Sequence, residues 1–267
     1  EHLNAGLVHV ALTGFGQTGP YRARAGHDIN YMALAGGLAA SGTEERPVAA
    51  YPPTADHASA LQAALAAVAA LFRRRESGRG AFIDVSLAET VLAWQAIPMT
   101  LARRAGQEPH RGAQILNGGT ARYHVYRTSD GKFITLGAVE QKFWAAFCRA
   151  VGREDWIARY DDPLPQTGLI AEVMALIESK PLAHWERVID PADCCFHPVV
   201  EPADLPDHPQ VAERRLVHRV ADNPALIETL FPAWIDGEPP SPRRPIRFEE
   251  SVEVLTRWQV EEKKKNS

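Results

Sequence analysis

Leu7-Val8-His9-Val10-Ala11-Leu12-Thr13 runs straight into Gly14-Phe15-Gly16-Gln17-Thr18-Gly19-Pro20. The first stretch alternates apolar and polar side chains and is rich in Val and Leu, which predicts a strand. The second breaks it with three glycines and a proline. A further strand is predicted at Ala81-Phe82-Ile83-Asp84-Val85-Ser86. Two helical patterns lie between the strands. One is the Ala/Gly-rich run from Ile29 to Ala40. The other starts near Thr54 or Asp56, either of which can cap it. It sets Leu61, Leu65, Val68 and Phe72 on one face and stops at Ser77-Gly78-Arg79-Gly80. Strand, helix and strand in that order predict an α/β or α+β chain.

Working outward, a helix is expected from Glu89 to Ala102, kinked or broken at Pro98. Gly106 to Gly119 reads as a linker. Tyr123–Thr128 and Lys132–Leu136 flank Ser129-Asp130-Gly131, and Asp-Gly between such runs signals a hairpin. Helices are expected at Gln141–Val151, Gly168–Ile177 and Leu182–Ile189. Pro198 to Pro209 reads as irregular, and the proline-rich end from Val220 carries one expected helix, Ser251–Glu262.

Composition limits the function classes. The 267 residues are 45% hydrophobic and 23% charged, which excludes a disordered or collagen-like chain. A net charge of -4 argues against nucleic-acid binding. Three cysteines are too few for a disulfide framework, so a reducing, cytoplasmic setting is expected. The most apolar stretch, Ala58 to Phe72, is shorter than the roughly 18 residues of a membrane span, so no span is expected. No signal peptide is expected at the start of the chain, which shows no basic segment followed by an apolar run.

Gly14-x-Gly16-x-x-Gly19 matches the dinucleotide fingerprint by its letters. That fingerprint needs a helix opening at the glycines, whereas Pro20-Tyr21-Arg22 follow with no helical period before Asp28. A glycine-rich turn is the favoured reading. His27, Asp28, Asp56, His57, His197 and His208 form no His-x-x-x-His or Cys-x-x-Cys pair, so no metal site is expected. His27 follows Gly26 at the start of an apolar run, Asp56 opens the strongest helix, and Glu140 follows the strand end Leu136-Gly137-Ala138-Val139. A His and a carboxylate on opposite sides of a substrate carbon would make a two-base pair, with a second carboxylate orienting the imidazole. An Asp at a helix start serves equally as a cap.

Ala25-Gly26-His27-Asp28-Ile29-Asn30-Tyr31 resembles the signature segment of the α-methylacyl-CoA racemases, in the class III CoA-transferase (CaiB/BaiF-type) superfamily. The stretches Leu12–Pro20, Pro52-Pro53-Thr54, Ala55-Asp56, Gly78-Arg79-Gly80 and Asp84-Val85-Ser86 agree, in order. So do Asn117-Gly118-Gly119, Asp130-Gly131-Lys132, Gly137–Glu140, Pro198-Val199 and Asp207–Arg214.

The resemblance implies an α/β class III CoA-transferase fold. A Rossmann-like large domain would occupy 1–105 and a small α+β domain 106–219, with 220–267 returning to the large domain. It implies about a hundred residues ahead of the Leu7 segment, carrying basic groups for the coenzyme A phosphates, so a large domain lacking its N-terminal part is expected here. His27 and Asp56 match the racemase base pair, Glu140 the glutamate that hydrogen-bonds the histidine, and Gly26 and Tyr31 sit where the coenzyme A thioester binds. The implied reaction, in fatty acid metabolism, is inversion at the α-carbon of a 2-methylacyl-CoA. The proton moves between two bases through an enolate-like intermediate, whose oxygen would be met by backbone N–H groups near Asp56. No cofactor beyond the coenzyme A thioester substrate is implied, and the implied partner is a second copy in an interlocked homodimer. The alternatives are a CoA-transferase with Asp56 as nucleophile and an inactive homologue. The chain departs from the racemase pattern around Asp56. Thr54 leads directly to Ala55-Asp56, and His57-Ala58-Ser59-Ala60 stands where relatives have a Gly-Gly.

Overall fold

A computed structural model describes residues 4–105, 110–220 and 223–242. The chain forms two compact units, Glu1–Val199 and Val200–Ser267.

The first unit opens with strand β1 (Val8–Thr13), helix α1 (Asp28–Leu34) and helix α2 (Thr54–Ser77), followed by strand β2 (Ala81–Ser86). The two strands pair in parallel from Val8 opposite Ala81 to Thr13 opposite Ser86. Parallel neighbours need a crossover of a dozen or more residues, and α2 is that crossover. Gly78 ends α2 in the left-handed conformation at φ 67, its N–H bonded to the carbonyl of Arg74. Glycine takes that conformation without the Cβ penalty of other residues, as the Ser-Gly-Arg-Gly stop predicts.

Helix α2 departs from expectation in three ways. Its N-cap is Pro53, which has no acceptor, while Thr54 and Asp56 lie inside the first turn. The face of Leu61, Leu65, Val68 and Phe72 is not its inner face, being 64–71% exposed. The buried positions are Ala55, Ser59 and Ala70, small residues that let a helix approach closely. Finally, at 24 residues with a hydropathy of 1.3 over its most apolar window, α2 is long and apolar enough to cross a membrane by length and composition. The length argument from Ala58–Phe72 alone does not hold, because the helix extends past both ends of that stretch.

Beyond β2 come α3 (Leu87–Leu92), a 3-10 turn at Ala93–Gln95 and α4 (Ala96–Ala105). The break thus precedes Pro98, whose ring sits in the first turn of α4, where a missing N–H costs least. Ser86 caps α3, accepting from the N–H of Glu89 at 3.2 Å.

The rest of the first unit is α+β. Strands β3 (Tyr123–Arg127) and β4 (Phe133–Gly137) form the expected hairpin, followed by helices α5 (Gln141–Ala150), α6 (Thr167–Glu178) and α7 (Leu182–Ile189). A short strand, β5 (Phe196–Pro198), then pairs antiparallel with the other side of β4, extending regular structure into the stretch read as irregular. The core beneath holds Tyr126, Ile134, Leu136, Trp144, Phe147, Trp156, Leu169 and Val173. Each such side chain gives about 1.5–3 kcal/mol by burial. Its buried polar tips are satisfied, with the Trp144 indole donating to the carbonyl of Trp156 and the Trp185 indole to that of Ile177. A second core of Tyr31, Met32, Ala35, Ala55, Ala88 and Val91 lies among α1, α2 and α3.

The second unit carries α8 (Pro209–Arg214) and an antiparallel pair, β6 (Val217–Val220) and β7 (Asn223–Thr229), where no strand was expected. The expected helix Ser251–Glu262 lies outside the described residues.

Candidate active site

The glycine-rich stretch after β1 is a turn, and no helix opens at its glycines. The Gln17 N–H donates to the Asp84 carboxylate at 2.9 Å, and the Gly14 carbonyl accepts from Ala88 N at 3.1 Å. The turn is thereby tied to β2 and the start of α3. Gly14 is required by close approach, since a Cβ there would stand 2.5 Å from the Tyr31 hydroxyl oxygen. The first glycine of the dinucleotide letters thus has a packing cause, while Gly16 and Gly19 sit at positive φ in the turn.

Helix α1 begins at His27, its N-cap residue, in extended conformation. The Asn30 side chain reaches back and accepts from His27 N at 3.1 Å, fixing the backbone there. Below it, Tyr31 is buried and its hydroxyl donates to the Gly26 carbonyl at 2.5 Å. Phe15 packs edge-on against the Tyr31 ring, with centroids 5.1 Å apart. Gly26 and Tyr31 therefore form the platform under His27. The His27 imidazole itself is exposed, faces the Asn30 backbone N–H in a capping-box arrangement, and makes no ion pair among the described residues.

Asp28 makes the connection that sequence reasoning missed. One of its carboxylate oxygens accepts from the N–H of Ala55 at 2.6 Å and of Asp56 at 3.2 Å. These are first-turn N–H groups of α2, which an N-cap side chain would ordinarily satisfy. The cap comes instead from 27 residues upstream. The signal in the sequence was indirect, namely a proline at the N-cap of a long helix, which leaves the donors to a distant acceptor. Asp56 is exposed, and among the described residues its carboxylate makes no hydrogen bond or ion pair. The structure thus ties the backbones of His27 and Asp56 together at two adjoining helix starts, with both side chains exposed.

The same bonds bear on the backbone donors expected near Asp56. The Ala55 and Asp56 N–H groups are taken by Asp28, and the His57 N–H by the Pro53 carbonyl at 3.3 Å. At the start of α1, the N–H groups of Asp28 and Ile29 have no partner among the described residues.

Glu140 is the N-cap residue of α5, exposed and capping nothing with its side chain. No hydrogen bond joins it to His27 within the chain. Its neighbour is Cys195, whose backbone is left-handed at φ 60 and whose carbonyl accepts from Gly137 N at 2.9 Å. Burial, then the Glu140 carboxylate, push the Cys195 thiol up. Cys195, His124, Asn117 and Tyr123 line a cleft of about 570 Å³. The loop leading to that cleft is pinned to the loop after α1 by Arg111, donating to the Thr43 carbonyl, and by Asn117, donating to that of Ala40. No group of His, Cys, Asp and Glu suited to a metal ion occurs among the described residues.

Residues 1–246 match the model of CoA-transferase family III. The chain belongs to CoA-transferase family III. Among its relatives in the family, mouse alpha-methylacyl-CoA racemase is 34% identical over 96% of this chain and 68% of its own length. The human protein of the same name is also 34% identical, over 79% of this chain and 56% of its own. The succinyl-CoA–D-citramalate CoA-transferase of Chloroflexus aurantiacus is 33% identical over 57% of this chain. The chain therefore spans between about half and two thirds of the length of the racemases it matches. A CaiB/BaiF family protein from Brucella suis, 21% identical, superposes with a TM-score of 0.77 over 96% of this chain and 69% of that one. The class III CoA-transferase fold and the racemase resemblance drawn from the sequence are both met.

Proposed function

We propose that the chain catalyses inversion at the α-carbon of a 2-methylacyl-CoA thioester, with His27 and Asp56 as the two bases. The single observation that carries this reading is the Asp28 link. It holds an imidazole and a carboxylate on two adjoining helix starts, both exposed, with the Asp56 carboxylate free of hydrogen bonds and ion pairs among the described residues. Each base must be able to take up and release a proton in every turnover.

In this mechanism one base takes the α-proton. The C–H electron pair moves into the carbon–carbon bond and charge develops on the thioester oxygen. The conjugate acid on the opposite face then returns a proton to the same carbon. Which base removes and which returns depends on the epimer. Backbone donors stabilise such an oxyanion most when they are already aimed at it. With the Ala55 and Asp56 N–H groups engaged by Asp28, the unpartnered N–H groups of Asp28 and Ile29 beside His27 are offered that task.

Glu140, the third member of the set, would orient His27. Within one chain the two are not hydrogen-bonded, which favours a second copy supplying Glu140 to each His27. A dimer is therefore part of the proposal. Its test is complementation, in which a His27→Ala chain mixed with a Glu140→Ala chain regains activity while each alone is inactive.

The direct test is conversion of a single 2-methylacyl-CoA epimer to the epimeric mixture by the full-length protein, with loss in His27→Ala and in Asp56→Asn. Unchanged conversion in both variants would exclude the two-base assignment. A second reading draws on the exposed, unpartnered Asp56 and on the relatives named CoA-transferases. Here the Asp56 carboxylate attacks the thioester carbonyl, CoA leaves as thiolate, and a mixed anhydride forms. Hydroxylamine trapping separates the two, since modification at Asp56 after incubation with acyl-CoA supports transfer, and an unmodified Asp56 supports inversion.

A further inference from the structure

We infer that Asp28 is a positioning residue for the proposed reaction, one that sets the spacing of His27 and Asp56 and keeps Asp56 free for chemistry. The inference rests on the two-base reading above and adds a residue to it. Asp28 follows His27 directly in the chain, and its carboxylate ends on the N–H of Asp56 and of Ala55, the residue before it. One side chain therefore fixes the start of α1 to the start of α2 at the two residues that carry the bases. Ala55 is fully buried, so its N–H has no water to turn to if that acceptor is lost.

The second half of the inference concerns Asp56. The first turn of a helix attracts carboxylates through its free N–H groups and the positive end of its dipole. Pro53 cannot act as the cap. Without Asp28, the Asp56 carboxylate lies in the same first turn as those donors, and a capped carboxylate is a poorer base. With Asp28 seated there, the Asp56 carboxylate has no bond to make. The loop departure noted in the sequence, Thr54 leading straight to Ala55-Asp56, is what places Asp56 inside the first turn and creates this competition.

The test compares Asp28→Ala with Asp28→Asn in the full-length protein, against His27→Ala and Asp56→Asn. Asparagine keeps an acceptor oxygen in the same place, while alanine removes it. Small misplacements of reacting groups cost on the order of 100-fold in rate. Asp28→Ala is expected to lower kcat roughly 10- to 100-fold with KM for the acyl-CoA little changed, and Asp28→Asn to recover most of that loss. Melting curves establish the folded fraction, so that kcat is counted per folded molecule. An Asp28→Ala kcat equal to wild type per folded molecule overturns the inference, as does an Asp28→Asn variant no better than Asp28→Ala. If His27→Ala and Asp56→Asn are themselves fully active, the two-base reading fails instead. If only those two are inactive while Asp28→Ala is normal, that reading stands and the positioning role falls.

Discussion

The Tyr31 hydroxyl donates to the Gly26 carbonyl at 2.5 Å, while the Tyr31 ring fills the space that a Cβ on Gly14 would need. One side chain thereby joins the glycine turn after β1 to the segment carrying His27. Tyr31→Phe loses that hydrogen bond and is expected to cost about 1 kcal/mol. Gly14→Ala drives a methyl into the ring and is expected to cost about 1–3 kcal/mol. Denaturant titration of both variants checks the order, with Gly14→Ala the worse.

The end of α2 offers a cleaner backbone effect. Gly78 is left-handed, but a Cβ there would meet nothing within 4 Å. Gly78→Ala is therefore expected to cost only the conformational penalty, about 1 kcal/mol. Its unfolding midpoint should fall less than that of Gly14→Ala, where crowding adds to the cost.

In the core beneath the β3–β4–β5 sheet, Trp156 is fully buried, with its indole donating to Glu172 at 3.0 Å and its carbonyl accepting from Trp144. Trp156→Ala is expected to cost about 3–5 kcal/mol, the largest loss of any single change considered. Near-ultraviolet circular dichroism follows it, because Trp144 and Trp156 stack with centroids 6.5 Å apart and lose their fixed environment together.

His124 gives the pH dependence. Burial pushes its imidazole below the ordinary 6.5, against a smaller opposing pull from Gly118. The unfolded chain then binds the proton more readily than the folded one, so stability rises with pH across that window. The contribution is complete above about 6.5 and is lost as pH falls through the lower folded value. Unfolding free energies measured between neutral and mildly acid pH should fall toward acid in the wild type and more shallowly in His124→Phe.

What the sequence made legible was local. The Asp-Gly hairpin, the glycine stop of α2 and the helices α5, α6 and α7 are each written in a few adjacent residues. The strands missed were those made by partners. β5 is a Phe-His-Pro tripeptide that becomes a strand only because β4, about sixty residues earlier, offers a free edge. β7 begins Asn-Pro, a turn signal overridden by pairing with β6. The burial of α2 misled for a related reason, since a regular apolar row is readable but which side faces β1 and β2 is not. In the site, His27, Asp56 and Glu140 were found through a family segment. The residue that organises two of them was hidden, because its hydrogen bonds span 27 residues. The pairing of Glu140 with His27, implied by the resemblance, has no hydrogen bond within one chain.

The central claim is that His27 and Asp56 face opposite sides of the α-carbon. Each pure epimer of a 2-methylacyl-CoA, incubated with the full-length protein in deuterated water, reports this through deuterium at the α-carbon and through the epimer ratio. Wild type should label and invert both epimers. His27→Ala should still label one epimer without inverting it, and Asp56→Asn should label only the other. Inversion at wild-type rates in either variant, or labelling of the same epimer in both, would contradict the account.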